Sequence, residues 1–157
     1  MKLDETKRQK IVHPIPPLYD KDSKILILGS FPSVKSREEA FFYGHPQNRF
    51  WKVTAAVFEE EVPQTVEEKQ IFLLRNKIAV WDVIHSCEIT GSSDSSIKNV
   101  VVNDLSLILE QAPIRQIYVN GKKAFSLYNK YIKPCIGWEA VCLPSTSPAN
   151  AAWNLEK

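Results

Sequence analysis

The sequence predicts an α/β fold of three layers, α/β/α, built on a central, mainly parallel four-stranded sheet. Short apolar segments alternate along the chain with segments of helical periodicity, and this alternation is typical of a parallel sheet covered by helices. The apolar segments stop at glycine, aspartate, asparagine or proline, residues that end strands. The chain has 157 residues, of which 44% are apolar, so we expect one domain spanning residues 1–157.

The predicted strands are the four apolar segments themselves. They are "KILILGS" at 24–30, "IAVWDVI" at 78–84, "IRQIYVNG" at 114–121 and "WEAVCLP" at 138–144. The first is a continuous apolar run stopped by Gly29, as expected of a strand buried on both faces. The second ends at Asp82 or just after it, and the fourth breaks at Pro144.

Helical periodicity predicts helices in the segments between these strands. The segments are 50–60, 66–77, 102–112 and 122–132. In the first, the spacing places five residues on one side: Phe50, Val53, Thr54, Val57 and Phe58. The third has Asn103 or Asp104 as its expected cap.

Two further segments predict irregular structure. Residues 1–23 form a Pro-rich N-terminal arm, because three prolines between Pro14 and Pro17 exclude a regular helix. The Ser-rich stretch "CEITGSSDSSIKN" at 87–99 predicts a long polar loop.

The composition argues against some classes of function but does not identify one. A formal net charge of +2 neither requires nor excludes nucleic acid as a partner. The apolar runs are far shorter than the roughly 20 residues that span a bilayer, and the charged N-terminus lacks the pattern of a signal peptide. We therefore expect a cytoplasmic protein that has no membrane partner. The three cysteines have no metal-binding spacing, so reduced thiols, no metal and no cofactor are expected.

The ends of the predicted strands indicate where a site would lie, because ligands of open α/β sheets bind at the carboxyl ends of the strands. Those ends carry "GSFPS", "WDVIHS", "VNG" and "LPSTSPAN". The first lacks the spacing of a phosphate loop and is equally an ordinary turn. At "VNG", Asn120 can donate and accept hydrogen bonds, and Lys122 just after it can bind an anion. A simple strand-to-helix turn fits this stretch as well. The fourth offers hydroxyls that can hold a phosphodiester, or a solvated turn.

A crowded polar stretch, "GHPQNRFW" at 44–51, precedes the first predicted helix. Phe50 and Trp51 are expected to pack inward. His45 can be a loop histidine bonded to backbone, and Asn48 can cap the helix. Capping explains one asparagine and leaves the other polar residues without a role.

Taken in order, "ILGSFPS", "YGHPQNRFW", "WDVIHSCEITGSSDSSI", "VNG" and "LPSTSPAN" resemble the uracil-DNA glycosylase superfamily, and look closest to its deoxyinosine (hypoxanthine) branch. The resemblance covers roughly residues 24–152. The resemblance implies that members of that branch continue with a C-terminal helix, so this chain is expected to be short at that end.

The resemblance implies a role for each motif. Mismatch-specific uracil glycosylases place a water-positioning asparagine where this chain has Phe31, so Asn48 becomes the candidate catalytic residue that orients the attacking water. The substrate-binding set comprises the Gly29, Ser30 and Phe31 turn, Tyr43, His45 and Asn120, with Phe31 and Tyr43 expected to stack on the flipped base and Asn120 to bind its edge. The DNA-binding set comprises Ser145, Thr146, Ser147 and Lys122.

The implied activity is hydrolysis of the N-glycosidic bond of a deaminated base, foremost hypoxanthine, which leaves an abasic site. The partner is then DNA containing deaminated bases, and a monomer without a cofactor is expected. Two alternatives stay open. One is the same fold acting on uracil or xanthine, and the other is a nucleic-acid-binding module that has lost catalysis, which the presence of Phe31 motivates.

Overall fold

The computed structural model of the chain describes residues 8–44, 48–91 and 96–146. Its central sheet has four parallel strands in the order β3-β2-β6-β7. They are β2 (Ile25–Gly29), β3 (Ile78–Asp82), β6 (Gln116–Asn120) and β7 (Ala140–Leu143). The predicted α/β class and the four predicted strands are confirmed.

Helices cover both faces of this sheet. They are α1 (Val34–Glu39), α2 (Phe50–Val57), α3 (Val66–Arg75), α4 (Ser106–Gln111), α5 (Lys122–Leu127) and α6 (Lys133–Ile136), with a π-helical turn at Tyr128–Ile132 between the last two. One core cluster packs α2 and α3 against Ile27 and Val80, and the other packs α4 and α5 against Leu26 and Leu28. The sheet is therefore the middle of three layers.

A second, smaller sheet corrects the predicted polar loop at 87–99. It is antiparallel, in the order β1-β4-β5, and its strands are β1 (Arg8–Val12), β4 (Ile84–Thr90) and β5 (Lys98–Val102). Cys87 and Ile89 are 1% exposed and join the core on the α4 and α5 side. The predicted loop is wrong at residues 87–90 and 98–99, which lie in β4 and β5. Only part of each of these strands faces the core, so their local sequence resembles that of a loop. Ser92, Ser93 and Ser95 lie outside the described residues.

The Pro-rich N-terminal segment packs on the domain over residues 8–23 and includes β1, which the sequence did not predict. Ile15 is 3% exposed. Leu18 and Val80 exchange two backbone hydrogen bonds of 3.0 and 2.9 Å. This segment therefore contributes side chains to the interior of the domain.

Two helix predictions are modified. In α2 the buried residues are Phe50, Trp51 and Ala55, and Val57, expected on the inner side, is 69% exposed. Trp51 and Ala55, four residues apart, share the face that meets the core, which turns Val57 outward. Helix α1 falls in a region expected to be loop, and Ser33 caps it by accepting a hydrogen bond from the Ser36 amide at 3.1 Å. Among the described residues, no helix is both long and apolar enough to span a bilayer.

Candidate active site

The carboxyl ends of the parallel strands lie next to each other. Gly29 at the end of β2 is in register with Asp82 at the end of β3, and Asn120 at the end of β6 is in register with Leu143 of β7. Leu28 pairs with Val119, which places Gly29 beside Asn120. The expected convergence of strand ends is thus present in the sheet.

Gly29, Asp82 and Asn120 also share one face of the sheet. Two residues earlier in the same strands, Ile27 and Val80 belong to the core cluster under α2 and α3, and Tyr118 packs against it. Because side chains alternate along a strand, the three residues at the strand ends point to this same side, where Tyr43 also packs.

Glycine is required at position 29 by the close approach of two oxygens. A Cβ placed there would lie 2.5 Å from Asp82 Oδ1 and 3.3 Å from the Tyr43 hydroxyl. Real Cβ atoms essentially never approach another heavy atom within 3.0 Å. The absence of a side chain at Gly29 therefore lets a carboxylate and a phenol face the same backbone carbon.

Tyr43 is held with its hydroxyl in this position. Its ring packs edge-on against Phe50, with centroids 4.0 Å apart, and its carbonyl accepts a hydrogen bond from the Trp51 indole at 3.0 Å. Among the described residues the buried hydroxyl has no hydrogen-bond partner. Burial, followed by the charge of Asp82, raises the pKa of the Tyr43 phenol well above its usual range, while Asn120 offsets part of the shift. The hydroxyl stays protonated and available as a donor.

Asp82 is paired with His13, a residue of the N-terminal segment. The two atoms His13 Nε2 and Asp82 Oδ2 are 2.8 Å apart, and the side chains are 2% and 5% exposed. His13 Nδ1 accepts a hydrogen bond from the Ile15 amide at 3.2 Å, so the bonding pattern assigns the proton to Nε2, which donates to Asp82. Phe31 and Phe42 pack around the imidazole, at ring centroid distances of 5.8 and 6.2 Å.

The motif "WDVIHS" is among the predicted strand ends, but neither Asp82 nor His13 was predicted as a site residue. A carboxylate directly after an apolar strand was the available signal for Asp82. For His13 the local sequence offered only a histidine before a proline, because its partner lies 69 residues away.

Asn103 fixes the backbone on either side of the strand end. Its Nδ2 donates to the carbonyls of Asp82 at 2.9 Å and Ile84 at 3.1 Å, and the residue is 4% exposed. The expected cap is wrong, because the cap position of α4 is Leu105, whose side chain makes no capping hydrogen bond. The Asp104 carboxylate, one residue earlier, accepts from the Ser106 amide at 3.0 Å. Asn103 thus holds the backbone of Asp82 in place without using the Asp82 side chain.

The loop after β7 is bonded to the end of β6 and to the Asn48–Arg49 segment. Asn120 donates to the Thr146 hydroxyl at 3.0 Å and accepts from the Thr146 amide at 3.1 Å. The Arg49 amide donates to the Thr146 carbonyl at 2.9 Å, and the Arg49 guanidinium reaches the Ser145 carbonyl at 3.4 Å. Asn48, next to Arg49, is thereby placed near the carboxyl edge of the sheet.

Asn48 lies just before helix α2, whose cap position is Arg49. The Asn48 Oδ1 accepts a hydrogen bond from the Phe50 amide at 2.9 Å, a contact of the capping kind. A side-chain amide has two donor hydrogens and a second acceptor lone pair, so this contact leaves groups that can bind water. Capping and a role in the site are therefore compatible for this residue.

The remaining predicted site residues divide by location. Phe31, expected to stack on a base, is 9% exposed and packs in the core cluster of Leu26 and Leu28. The His13 imidazole lies 5.8 Å and the Arg37 guanidinium 5.6 Å from its ring. Its ring is occupied by these contacts, which argues against stacking. Ser30 is also buried, and its carbonyl accepts from the Ile84 amide at 3.1 Å. Lys122 is exposed at the start of α5, while His45 and Ser147 lie outside the described residues.

Within residues 8–44, 48–91 and 96–146, no three histidine, cysteine, aspartate or glutamate side chains are grouped so that they could hold a metal ion. The polar groups at the strand ends are amides, hydroxyls and one carboxylate–imidazole pair. Such groups bind by hydrogen bonding and can orient a water molecule.

A parallel sheet covered by helices defines an α/β protein, and in this class ligands bind at the carboxyl edge of the sheet, where these polar groups lie. The family model described as the uracil DNA glycosylase superfamily matches residues 16–157. The chain therefore belongs to this superfamily, as its motifs indicated.

Two curated relatives share most of the chain. Each bears the name hypoxanthine DNA glycosylase, one from Methanosarcina barkeri and one from Methanosarcina acetivorans. They are 34% and 37% identical over 137 residues, which cover 86% of this chain and 85% of each relative. A solution NMR structure of a candidate uracil DNA glycosylase from Methanosarcina acetivorans matches with a TM-score of 0.78 and 35% identity, over 92% of this chain and 90% of that chain.

Proposed function

We propose that this DNA glycosylase hydrolyses the N-glycosidic bond of deoxyinosine in DNA, releasing hypoxanthine and leaving an abasic site. The observation that carries the proposal is the set of bonds that joins the Asn48–Arg49 segment to Thr146 and Thr146 to Asn120. It brings together, at the carboxyl edge of the sheet, the motifs by which the chain resembles the hypoxanthine branch. The names of the two relatives support the choice of base.

In the proposed reaction Asn48 orients the attacking water. The C1′–N9 bond breaks, its electron pair passes to the base, and the water oxygen bonds to C1′. The water loses a proton to solvent, and the departing base takes one up from solvent. A neutral amide is a weak base, which suits a reaction whose transition state already carries positive charge on the sugar. Holding the water and the sugar in one geometry supplies much of the rate gain in such a reaction.

The other site residues bind the base and the DNA in this proposal. Asn120 and the backbone of the Gly29–Phe31 turn meet the base, whose developing negative charge is stabilised by hydrogen bonds in a site shielded from water. Tyr43 and His45 complete the base site, with Tyr43 supplying the stacking surface. Ser145, Thr146, Ser147 and Lys122 contact the phosphodiester backbone beside the extruded nucleotide.

The test is a cleavage assay on oligonucleotides that carry a single deoxyinosine, deoxyuridine or deoxyxanthosine, in single and double strands. Abasic product is detected as strand scission in alkali. We expect product from deoxyinosine with the wild-type protein. Product from uracil or xanthine alone would mean that the enzyme is a glycosylase for that base and not for hypoxanthine. No product from any of the three would contradict glycosylase activity.

Asn48→Ala tests the role of the amide. We expect its single-turnover rate to fall by at least about 100-fold, within the range for loss of a positioning group, with DNA binding retained. Asn76→Ala is the matched control, because Asn76 bonds Glu60 and the Phe72 carbonyl at the end of α3, near the amino ends of the strands. Wild-type rates in Asn48→Ala would assign the catalytic role to another residue.

A further inference from the structure

We infer that Asp82, oriented by His13, is the specificity-determining residue that recognises the N1–H of a deaminated purine. Asp82 lies at the carboxyl end of β3 and is 4% exposed. One of its oxygens, Oδ2, accepts the proton of His13 Nε2 at 2.8 Å. The other, Oδ1, faces the Cα of Gly29 and accepts no hydrogen bond within the part of the chain that the structure describes. The inference rests on the proposed function and assigns its selectivity.

The Asp82 side chain is 5% exposed, so Oδ1 has lost most of its water without gaining a donor in its place, which is costly. The neutral imidazole satisfies Oδ2 and prevents the side chain from rotating. The backbone of Asp82 is held independently by Asn103, so the Asp82 side chain is not needed to fix the strand end. The unused acceptor at Oδ1 therefore calls for a donor that arrives with the ligand.

Deamination of adenine creates that donor. In adenine, N1 is an acceptor with a lone pair in the ring plane, whereas hypoxanthine carries a hydrogen on N1. A fixed carboxylate oxygen attracts the N1–H of hypoxanthine and repels the N1 lone pair of adenine. A hydrogen bond to a charged group contributes about 1.5–3 kcal/mol, which corresponds to roughly 10- to 100-fold in binding. Guanine also carries N1–H and must be rejected through its 2-amino group.

Gly29 leaves space beside Asp82 Oδ1, and Tyr43 adds no charge there. A side chain at position 29 would occupy the space directly beside Oδ1, at 2.5 Å. The Tyr43 hydroxyl is buried beside the same glycine and its raised pKa keeps it uncharged. No second negative charge therefore competes with Asp82 for the arriving N–H.

The first experiment changes the ligand and leaves the protein intact. Free hypoxanthine, 1-methylhypoxanthine and adenine are titrated into the wild-type protein in complex with a duplex that contains a tetrahydrofuran abasic-site analogue. We expect hypoxanthine to bind about 10- to 100-fold more tightly than either base without N1–H. Equal affinities for hypoxanthine and 1-methylhypoxanthine would overturn the inference.

The second experiment changes the carboxylate to an amide of the same shape. In Asp82→Asn, Oδ1 of the new amide accepts from His13 and its Nδ2 faces the base, so a donor now meets N1–H and suits the N1 of adenine. We expect the hypoxanthine-to-adenine affinity ratio to fall by at least about tenfold. A lower melting temperature with an unchanged ratio would make Asp82 purely structural and overturn the inference.

His13 is tested as a positioning residue through the same ratio. His13→Ala removes the donor that orients Asp82, and we expect the ratio to fall. His13→Gln retains a donor, and we expect it to recover part of the ratio. Tyr128→Phe is the matched control, because it removes a buried hydrogen bond to the Trp138 carbonyl, 2.7 Å long, in the other core cluster. A ratio that falls equally in Tyr128→Phe would show that general destabilisation is the cause.

A third arm separates this inference from the proposed function. Excision is measured on oligonucleotides with deoxyinosine and with 1-methyldeoxyinosine, and we expect the methylated base to be released at least about tenfold more slowly. If neither base is released although free hypoxanthine binds selectively, the proposed function fails and the role of Asp82 stands. If deoxyinosine is released and both bases behave alike, the role of Asp82 fails and the proposed function stands.

Discussion

The side-chain amide of Asn120 is hydrogen-bonded at both of its ends to Thr146, with the Asn120 Nδ2 donating to the hydroxyl and the Thr146 amide donating to Oδ1. This double contact links the end of β6 to the loop that follows β7. Arg49 bonds the same loop from the other side. The positions of Asn48 and Asn120 relative to each other therefore depend on Thr146.

Thr146→Val is expected to reduce activity by removing the acceptor of Asn120 Nδ2. The loop loses a part-buried hydrogen bond of about 1 kcal/mol, and misplacement of the neighbouring groups lowers the single-turnover rate on deoxyinosine by at least about tenfold. Thr65→Val is the control, since Thr65 caps α3 through the Glu68 amide and its loss affects stability alone. Equal rates in both variants would show that the loop contact does not position the site.

Gly29→Ala is expected to disrupt the strand end. The new methyl group would lie 2.5 Å from Asp82 Oδ1, so the carboxylate has to move away from His13 and the free energy of unfolding falls by about 2–4 kcal/mol. Urea unfolding measures the loss. Gly137→Ala is the matched control, because a Cβ there meets nothing within 4 Å and only its φ of +71° is unfavourable, which costs about 1–2 kcal/mol. If Gly29→Ala costs no more than Gly137→Ala, the close approach to Asp82 is not restrictive.

The raised pKa of Tyr43 predicts a loss of stability in alkali. The folded state keeps the phenol protonated while the unfolded chain ionises above its ordinary value of 10.0, so the free energy of unfolding falls as pH rises beyond 10, at up to about 1.4 kcal/mol per pH unit from this group. Below pH 10 the contribution is constant.

Tyr43→Phe lacks the phenol and should show a shallower decline. Urea unfolding at pH 9 and pH 11, compared between wild type and variant, isolates the contribution of Tyr43 from the other tyrosines and the lysines. The same slope in both proteins would contradict the burial of an unionised hydroxyl at this position.

The sequence predicted the central sheet because its signals are local. Apolar runs that stop at Gly29, Asp82 and Asn120 mark strands and also mark the edge where the site lies. The small sheet escaped prediction because its pairings join distant segments, as in Arg8 with Thr90, and because the ladder of β4 and β5 is irregular. Neither property appears in a short window of sequence.

The site was predictable as a set of motifs and not as a set of contacts. Asn48, Tyr43 and Asn120 are proposed as site residues from motifs, whereas the His13–Asp82 pair depends on how the N-terminal segment packs against β3. For Phe31, the motif predicted a stacking contact with the base that the packing of its ring argues against. Phe31 follows Gly29 closely in sequence, yet its ring packs between a core cluster and the His13 imidazole.

The most direct test of the central claim is to measure, in one reaction, the hypoxanthine released and the abasic sites formed. Purified protein is incubated with a deoxyinosine oligonucleotide, free base is quantified by liquid chromatography, and abasic sites are quantified by alkaline scission. We expect equal molar amounts of the two products from the wild type and neither from Asn48→Ala. Scission without free hypoxanthine, or intact substrate with well-folded wild-type protein, would contradict the claim.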